Sequence, residues 1–297
     1  MRTFLNRRQL FQAAAAAAAA GAAAAAPNKM RLGVITGLSK DPEGTIKRVH
    51  DLGFPTCQLA IGAFDDATVE KTKAALSKYG VEATSAVATG PAPEIYDFYQ
   101  GPMTIGLAPK KYREARIARI KQVSDFAKKV GIPGVQTHCG FIPENPNEPL
   151  YKETVDAIRT VAQYCKDNGQ TFRCETGQET PITLVRAIND IALDNVGVNF
   201  DVGNLILYGK ANPVDAVELL GPYIMGIHAK DGLYPTDPKQ LGREVAIGEG
   251  KVNFPALIAQ LKKAGYQGPV TIEREISGAK QTADILAAKA FLEKLIG

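Results

Sequence analysis

From Met30 onward the sequence alternates eight times between a short run rich in β-branched and apolar residues and a longer stretch of helical periodicity. That alternation limits the fold more than any other feature, because strands separated by crossover helices pair in parallel. The strand-like runs are Arg31–Thr36, Thr56–Ile61, Val81–Thr89, Gly134–Cys139, Thr171–Glu175, Val196–Asp201, Ile224–His228 and Val270–Glu273. The helical patterns fall at Thr45–Leu52, Ala67–Tyr79, Pro109–Val130, Tyr151–Asn168, Pro181–Ala192, Pro213–Leu220, Phe254–Ala264 and Thr282–Leu295. Local chemistry supports these boundaries. Gly53, Gly80, Gly131, Gly169 and Gly265 follow helical runs, where a left-handed residue ends the last turn. Asp66, Thr180, Asn212 and Asn253 stand at N-cap positions, and Pro181 and Pro213 occupy first-turn positions that need no amide donor. Eight units in about 270 residues predict an α/β chain folded as one (β/α)₈ TIM barrel over residues 27–297. A doubly wound open sheet is the alternative. It usually places a glycine-rich phosphate turn after its first strand, and Thr36-Gly37-Leu38-Ser39-Lys40 is not one. Two long segments, Gly90–Ala108 and Gly232–Gly250, follow the third and seventh strands and are read as lid and pocket wall.

The first 26 residues stand outside this pattern. Arg7-Arg8 precedes a short apolar stretch, and Ala13 to Ala26 is alanine interrupted only by Gly21. A charged segment before a weakly apolar one is a secretory signal. The arginine pair resembles the twin-arginine type, which carries folded bacterial proteins to the periplasm by way of the twin-arginine export machinery. The run is too short and too weakly apolar for a membrane span. Arg2, Arg7 and Arg8 supply three of the chain's +4 formal charges, so the remainder is close to neutral. Nothing in that balance favours a nucleic acid or an anionic membrane as a partner. Four cysteines, Cys57, Cys139, Cys165 and Cys174, form no CxxC pair, which argues against a zinc ribbon and for small buried thiols.

Barrel chemistry comes from residues at the C-terminal ends of the strands. Four successive runs end in a carboxylate or an imidazole: Glu175, Asp201, His228 and Glu273. Charged groups inside apolar strands are costly unless paired or metal-bound, and successive barrel strands are neighbours, so the four can converge. Three carboxylates and one imidazole suit one divalent cation, Mn²⁺ first, with Co²⁺, Mg²⁺ or Zn²⁺ as alternatives. Glu275, two residues beyond Glu273, competes for the fourth place, because a period of two turns both the same way. His138, Asn204, Lys230 and Arg243 are candidate substrate contacts. Lys230 could instead pair with Asp231, and His50 lies on a helix surface. The turn Gly248-Glu249-Gly250 reads as structural.

These residues lie in segments that resemble the xylose isomerase-like barrels, which include sugar isomerases and epimerases, inosose dehydratases and endonuclease IV. The segments are Cys174-Glu175-Thr176-Gly177, Phe200-Asp201-Val202-Gly203-Asn204, Ile227-His228-Ala229-Lys230-Asp231, Ile247-Gly248-Glu249-Gly250 and Gly265 to Glu273. The resemblance implies that Glu175, Asp201, His228 and Glu273 bind the metal and that Glu175 and Glu273 flank a sugar as acid and base. The chemistry implied is isomerisation or epimerisation through an enediolate. Elimination by a lyase or dehydratase on 3-keto-glycosides or inosose-like substrates is the alternative, and a non-catalytic sugar-binding barrel is a further one. Ketose 3-epimerases carry a histidine three residues after the aspartate, where this chain has Asn204. Endonuclease IV needs a histidine-rich shell for three metals, and this chain has 3 histidines in all. Sugar phosphates are cytoplasmic, so export points to an unphosphorylated sugar or keto-sugar. A homo-oligomer is compatible with the sequence.

Overall fold

The computed structural model describes residues 30–38 and 40–297. The segment read as an export signal lies outside the described residues. Strand β1 is Arg31–Leu38, followed by α1 (Pro42–Asp51), β2 (Thr56–Ile61), α2 (Asp66–Tyr79), β3 (Glu82–Val87), the short α3 (Gly101–Thr104) and α4 (Lys110–Val130). Next come β4 (Gly134–His138), α5 (Pro149–Asp167), β5 (Thr171–Glu175), α6 (Pro181–Ile191), β6 (Val196–Asp201), α7 (Val202–Leu207) and α8 (Pro213–Leu220). The chain closes with β7 (Ile224–Ala229), β8 (Asp231–Leu233), β9 (Arg243–Val245), α9 (Phe254–Lys263), β10 (Pro269–Ile272) and α10 (Ala279–Ile296). Strands β1 to β7 and β10 form a closed, all-parallel barrel. The (β/α)₈ expectation therefore holds.

Several boundaries move for local reasons. Helix α1 begins at Pro42, not Thr45, because Asp41 accepts from the Gly44 amide and Pro42 starts the first turn. The cap of α2 is Asp65 rather than Asp66, through its bonds to Thr68. Thr180, Asn212 and Asn253 cap as expected. The last barrel strand ends at Ile272, one residue short of Glu273, although the Glu273 amide still donates to Ala229 O at 3.0 Å.

The two faces of the wall differ in chemistry. The outer face carries Phe172, Cys174, Val198, Phe200, Ile227 and Ile272, which pack with Ile158, Leu184, Leu257 and Leu261 of the helices into one apolar core. The inner face is polar. Gln58 on β2 bonds Asn199 on β6 and His228 on β7, and Gln136 on β4 bonds Gln58. These strands are not all neighbours, so the side chains meet through the lumen. Alternation with a period of two puts Arg173 and Glu175, and likewise Asn199 and Asp201, on that same inner side.

Both long segments lie over the C-terminal mouth and touch each other. The Phe98 amide donates to Lys239 O at 3.1 Å, Asp97 pairs with Gln240, and the Lys239 ammonium sits 5.6 Å from the Tyr99 ring. Arg116 holds the first segment from beneath through Gly106 O (2.6 Å) and Pro93 O (3.2 Å). Gly106 has φ +71°, and a side chain there would run into the backbone of Cys139 and Gly140. The second segment is not a plain loop, because β8 and β9 form an antiparallel hairpin inside it. No helix among the described residues is long and apolar enough to cross a membrane.

Candidate metal centre

Strand register brings the strand-end residues to one level. His138 pairs with Glu175 across β4–β5, and Asp201 with His228 across β6–β7. Glu175, Asp201, His228 and Glu273 each offer one ligand atom, and these atoms all lie within 4.8 Å of one another. His228 Nδ1 is the hub, at 3.0 Å from Glu175 Oε1, 3.2 Å from Glu273 Oε2 and 3.6 Å from Asp201 Oδ2. Asp201 is held by its other oxygen. Oδ1 accepts from the Asn204 amide at 2.7 Å and caps α7, which leaves Oδ2 facing inward.

Two buried atoms of this group, His228 Nδ1 and Asp201 Oδ2, have no hydrogen-bond partner. Orphaned polar atoms in a dry interior are costly, and here they converge with two further carboxylate oxygens. Three hard oxygens and one imidazole nitrogen around a common point fit a divalent cation such as Mn²⁺, Mg²⁺, Co²⁺ or Zn²⁺. The residues present therefore fit the group the sequence implied.

Lys230 completes the cluster. Its ammonium is buried, 3.2 Å from Glu273 Oε2, 2.7 Å from Glu275 Oε1 and 3.8 Å from Asp201 Oδ2. Gly203 makes room for it, since a Cβ there would press on the Lys230 side chain and backbone. Its partners are thus Glu273 and Glu275, not Asp231. Adjacent residues of an extended chain point to opposite sides. Asp231 instead accepts from the amides of Gly232, Gly248, Gly250 and Val252 at 2.9–3.0 Å, which explains the Gly248-Glu249-Gly250 turn.

The electrostatics follow from burial and neighbours. Burial raises the Glu175 carboxyl, but the His138 and His228 imidazoles outweigh it and hold the group below its usual range. Burial likewise opposes ionisation of Glu273, and Lys230 and His228 override it strongly. For Asp201 burial prevails and the carboxyl is held high. Burial lowers His228, yet Glu175 and Glu273 carry it well above the ordinary imidazole value.

The other expected residues divide. His138 reaches the site, with Nε2 3.9 Å from Glu175 Oε1, Nδ1 3.3 Å from Gln178 Nε2, and its ring edge-on to Tyr96. Asn204 is buried on the first turn of α7 beside the cluster. Glu273 is brought into the group, whereas Glu275 stands outside it, half-exposed. Arg243 is exposed on β9 and, among the described residues, forms no ion pair with the cluster. The arginine next to Glu273 is Arg274, which is engaged by Glu244 (3.0 Å) and Asp284 (2.9 Å). His50 is exposed and bonded to Tyr79 O.

Three features were missed. Gln58 and Gln136 contact His228 from the lumen; their signal was a neutral amide amid buried strand residues. Glu179 is buried with both oxygens unpartnered, and burial pushes its carboxyl up to about 8. Tyr208 carries a buried, unpartnered hydroxyl and sits edge-on to Phe98 and Phe141.

Known proteins share this barrel. A solved xylose isomerase domain protein from Planctomyces limnophilus is 34% identical, with a TM-score of 0.84 over 90% of this chain and 97% of that one. The 3-keto-D-glucoside 4-epimerase of E. coli has the same fold at 19% identity and a TM-score of 0.67, covering 90% of this chain and 100% of its own. An uncharacterized protein of Methanocaldococcus jannaschii is 29% identical over 199 residues; the alignment takes in 62% of this chain and 64%, under two thirds, of that relative. Residues 46–295 match the xylose isomerase-like TIM barrel family, and with the closed barrel already in place the chain belongs to that family.

Proposed function

We propose that the protein is a divalent-metal-dependent isomerase or epimerase of an unphosphorylated sugar or keto-sugar. The observation that carries this reading is the convergence of Glu175, Asp201, His228 and Glu273 on one point, with His228 Nδ1 and Asp201 Oδ2 left without partners. A bound cation supplies Lewis-acid polarisation of a carbonyl and its neighbouring hydroxyl, which acidifies the adjoining C–H. Mn²⁺ is the first choice.

The chain's own groups then account for proton movement. Glu175 comes from β5 and Glu273 from the chain just after β10, with β6 and β7 between them, so they approach a bound sugar from different sides. The buried Lys230 ammonium keeps Glu273 ionised and able to take a proton. A proton taken by one glutamate and returned by the other to the same carbon inverts it; return to the neighbouring carbon isomerises the sugar. His138, beside Glu175, is placed to hold a hydroxyl. The joined lid segments close the mouth and keep water from the reacting carbon. Tyr96, on the lid, meets the His138 ring edge-on.

A 3-keto-glycoside is the favoured substrate class. Its ketone acidifies the neighbouring C–H, and the fold shared with a 3-keto-D-glucoside 4-epimerase is compatible with it. Asn204, in place of the histidine of ketose 3-epimerases, argues against free ketohexoses. We further propose that residues 1–26 direct export to the periplasm and are separate from the barrel of residues 27–297.

The test is proton exchange. The purified protein is analysed for bound metal, then incubated in D₂O with 3-keto-glycosides and free ketoses. Metal-dependent deuterium uptake beside the ketone, lost in Glu175→Gln and Glu273→Gln, is the expected result. Sugar binding without exchange in any compound overturns the reading in favour of a binding barrel.

A further inference from the structure

The polar layer beneath the metal centre fixes the state of its imidazole. His228 Nε2 lies 2.6 Å from Gln58 Oε1, and both side chains are wholly buried. Gln58 is anchored at its other end, where its Nε2 donates to Asn199 Oδ1 at 3.2 Å. With the amide held that way round, Oε1 faces the imidazole and also accepts from Gln136 Nε2 at 2.9 Å. An amide oxygen only accepts, so in this orientation the bond places the His228 proton on Nε2, and Gln136 Nε2, 3.2 Å from the same ring nitrogen, gives its proton to Gln58 Oε1 instead. In a neutral ring the lone pair is then on Nδ1, the atom that lies among the oxygens of Glu175, Asp201 and Glu273. With the proton on Nδ1, Nε2 would set a lone pair against the Gln58 oxygen inside the lumen.

We propose that Gln58 is a positioning residue of the metal centre, its Oε1 accepting from His228 Nε2–H and so presenting Nδ1 as the ligand atom. A hydrogen-bonding partner on the far nitrogen orients a ligating histidine, and its loss typically weakens metal affinity about 10–100-fold. Gln58 reaches His228 across the barrel from β2, a strand that contributes none of the four candidate ligands. The proposal rests on the metal reading given above.

Two substitutions separate the acceptor from the shape. Gln58→Met keeps the length of the side chain and removes the acceptor, whereas Gln58→Glu keeps an acceptor at the same place. Mn²⁺ affinity of the full protein is measured by calorimetry, and folding is followed by thermal unfolding. The expected result is a roughly 10–100-fold weaker affinity of the folded protein in Gln58→Met, affinity at least equal to that of the unsubstituted protein in Gln58→Glu, and a lower unfolding temperature in Gln58→Met, whose buried neighbours His228, Gln136 and Asn199 lose their partner. Equal affinity in all three proteins overturns the proposal, and so does an equal loss in both variants. A second measurement covers a Met variant that fails to fold. In the Zn²⁺-loaded protein labelled with ¹⁵N-histidine there are only 3 rings to sort. His228 with a bonded proton on Nε2 and none on Nδ1 supports the assignment, and the reverse overturns it. An unsubstituted protein that binds no divalent cation overturns the metal reading and this proposal together, an outcome distinct from binding that ignores Gln58.

Discussion

Glu179 offers a sharp test of how burial governs this mouth. Its side chain is about 1% exposed and neither oxygen has a hydrogen-bond partner. Burial is the largest influence on it and raises the carboxyl from 4.5 to about 8, against weaker opposing pulls that include His138 and Lys210. The folded protein therefore holds this proton more tightly than the unfolded chain does. A raised folded-state pKa gives a contribution that is fully present below the unfolded value and is lost as pH climbs through the folded one. At about 1.4 kcal/mol per unit, the whole span is worth at most about 5 kcal/mol, and the part between pH 5 and pH 8 about 3–4 kcal/mol. Replacing Glu179 with Gln keeps the shape and removes the titration. Urea unfolding is run on both proteins without added metal at several pH values across that window. The metal-cluster groups titrate in both, so the difference between the two profiles belongs to Glu179. The unsubstituted protein should lose about 3–4 kcal/mol relative to Glu179→Gln as pH rises from about 5 to about 8. Parallel profiles would refute the reasoning, because they would mean that the carboxylate reaches water or a cation in solution.

Three substitutions separate roles that the sequence leaves together. Glu273→Gln should weaken Mn²⁺ binding by about 100-fold or more and Glu275→Gln by less than about 5-fold, since only the first lies within the ligand group; calorimetry decides, and the opposite order would assign the fourth place to Glu275. Asp231→Ala should leave Mn²⁺ affinity within a few-fold but lower stability by about 3 kcal/mol, because several buried amides lose their acceptor, and an unchanged unfolding temperature would contradict that role.

The parts legible in the sequence are those with a period or a misplaced charge. The eight units could be read because strand and helix patterns repeat and glycines mark the helix ends. The four candidate ligands could be read because a carboxylate or imidazole at the end of an apolar strand is expensive. Pairing of Lys230 with Asp231, the alternative to a substrate contact, fails because alternation along an extended chain turns neighbours to opposite sides. Hairpin β8–β9 went unread since three-residue strands carry no period. The start of α1 was legible in Asp41-Pro42, a cap followed by a first-turn proline, but the apolar pattern alone begins later. Gln58 and Gln136 are neutral amides whose meaning arises only when the barrel closes and β2, β4 and β7 face one another. The burial of Glu179 depends on how the segment after β5 packs, which no local pattern encodes.

Charge counting links the buried lysine to the identity of the cation. Glu175, Asp201 and Glu273 place three carboxylates against one buried ammonium, Lys230, and a ligating His228 must be neutral. That leaves two negative charges in a space where uncompensated ions cost several kcal/mol each. Arg173, on the same face two residues before Glu175, forms no ion pair with the four among the described residues. On this count of four residues a divalent ion would balance the charge, with Glu275, which shares the Lys230 ammonium, exposed to water and screened by it. Lys230 therefore lowers the charge the site asks of its metal, and it holds Glu273 ionised at the same time. Glu179, kept protonated by burial below about pH 8, adds nothing to the count at neutrality. Deprotonating it would add a third negative charge near the mouth, so the same burial that costs stability at high pH also preserves the charge balance on which a divalent centre depends.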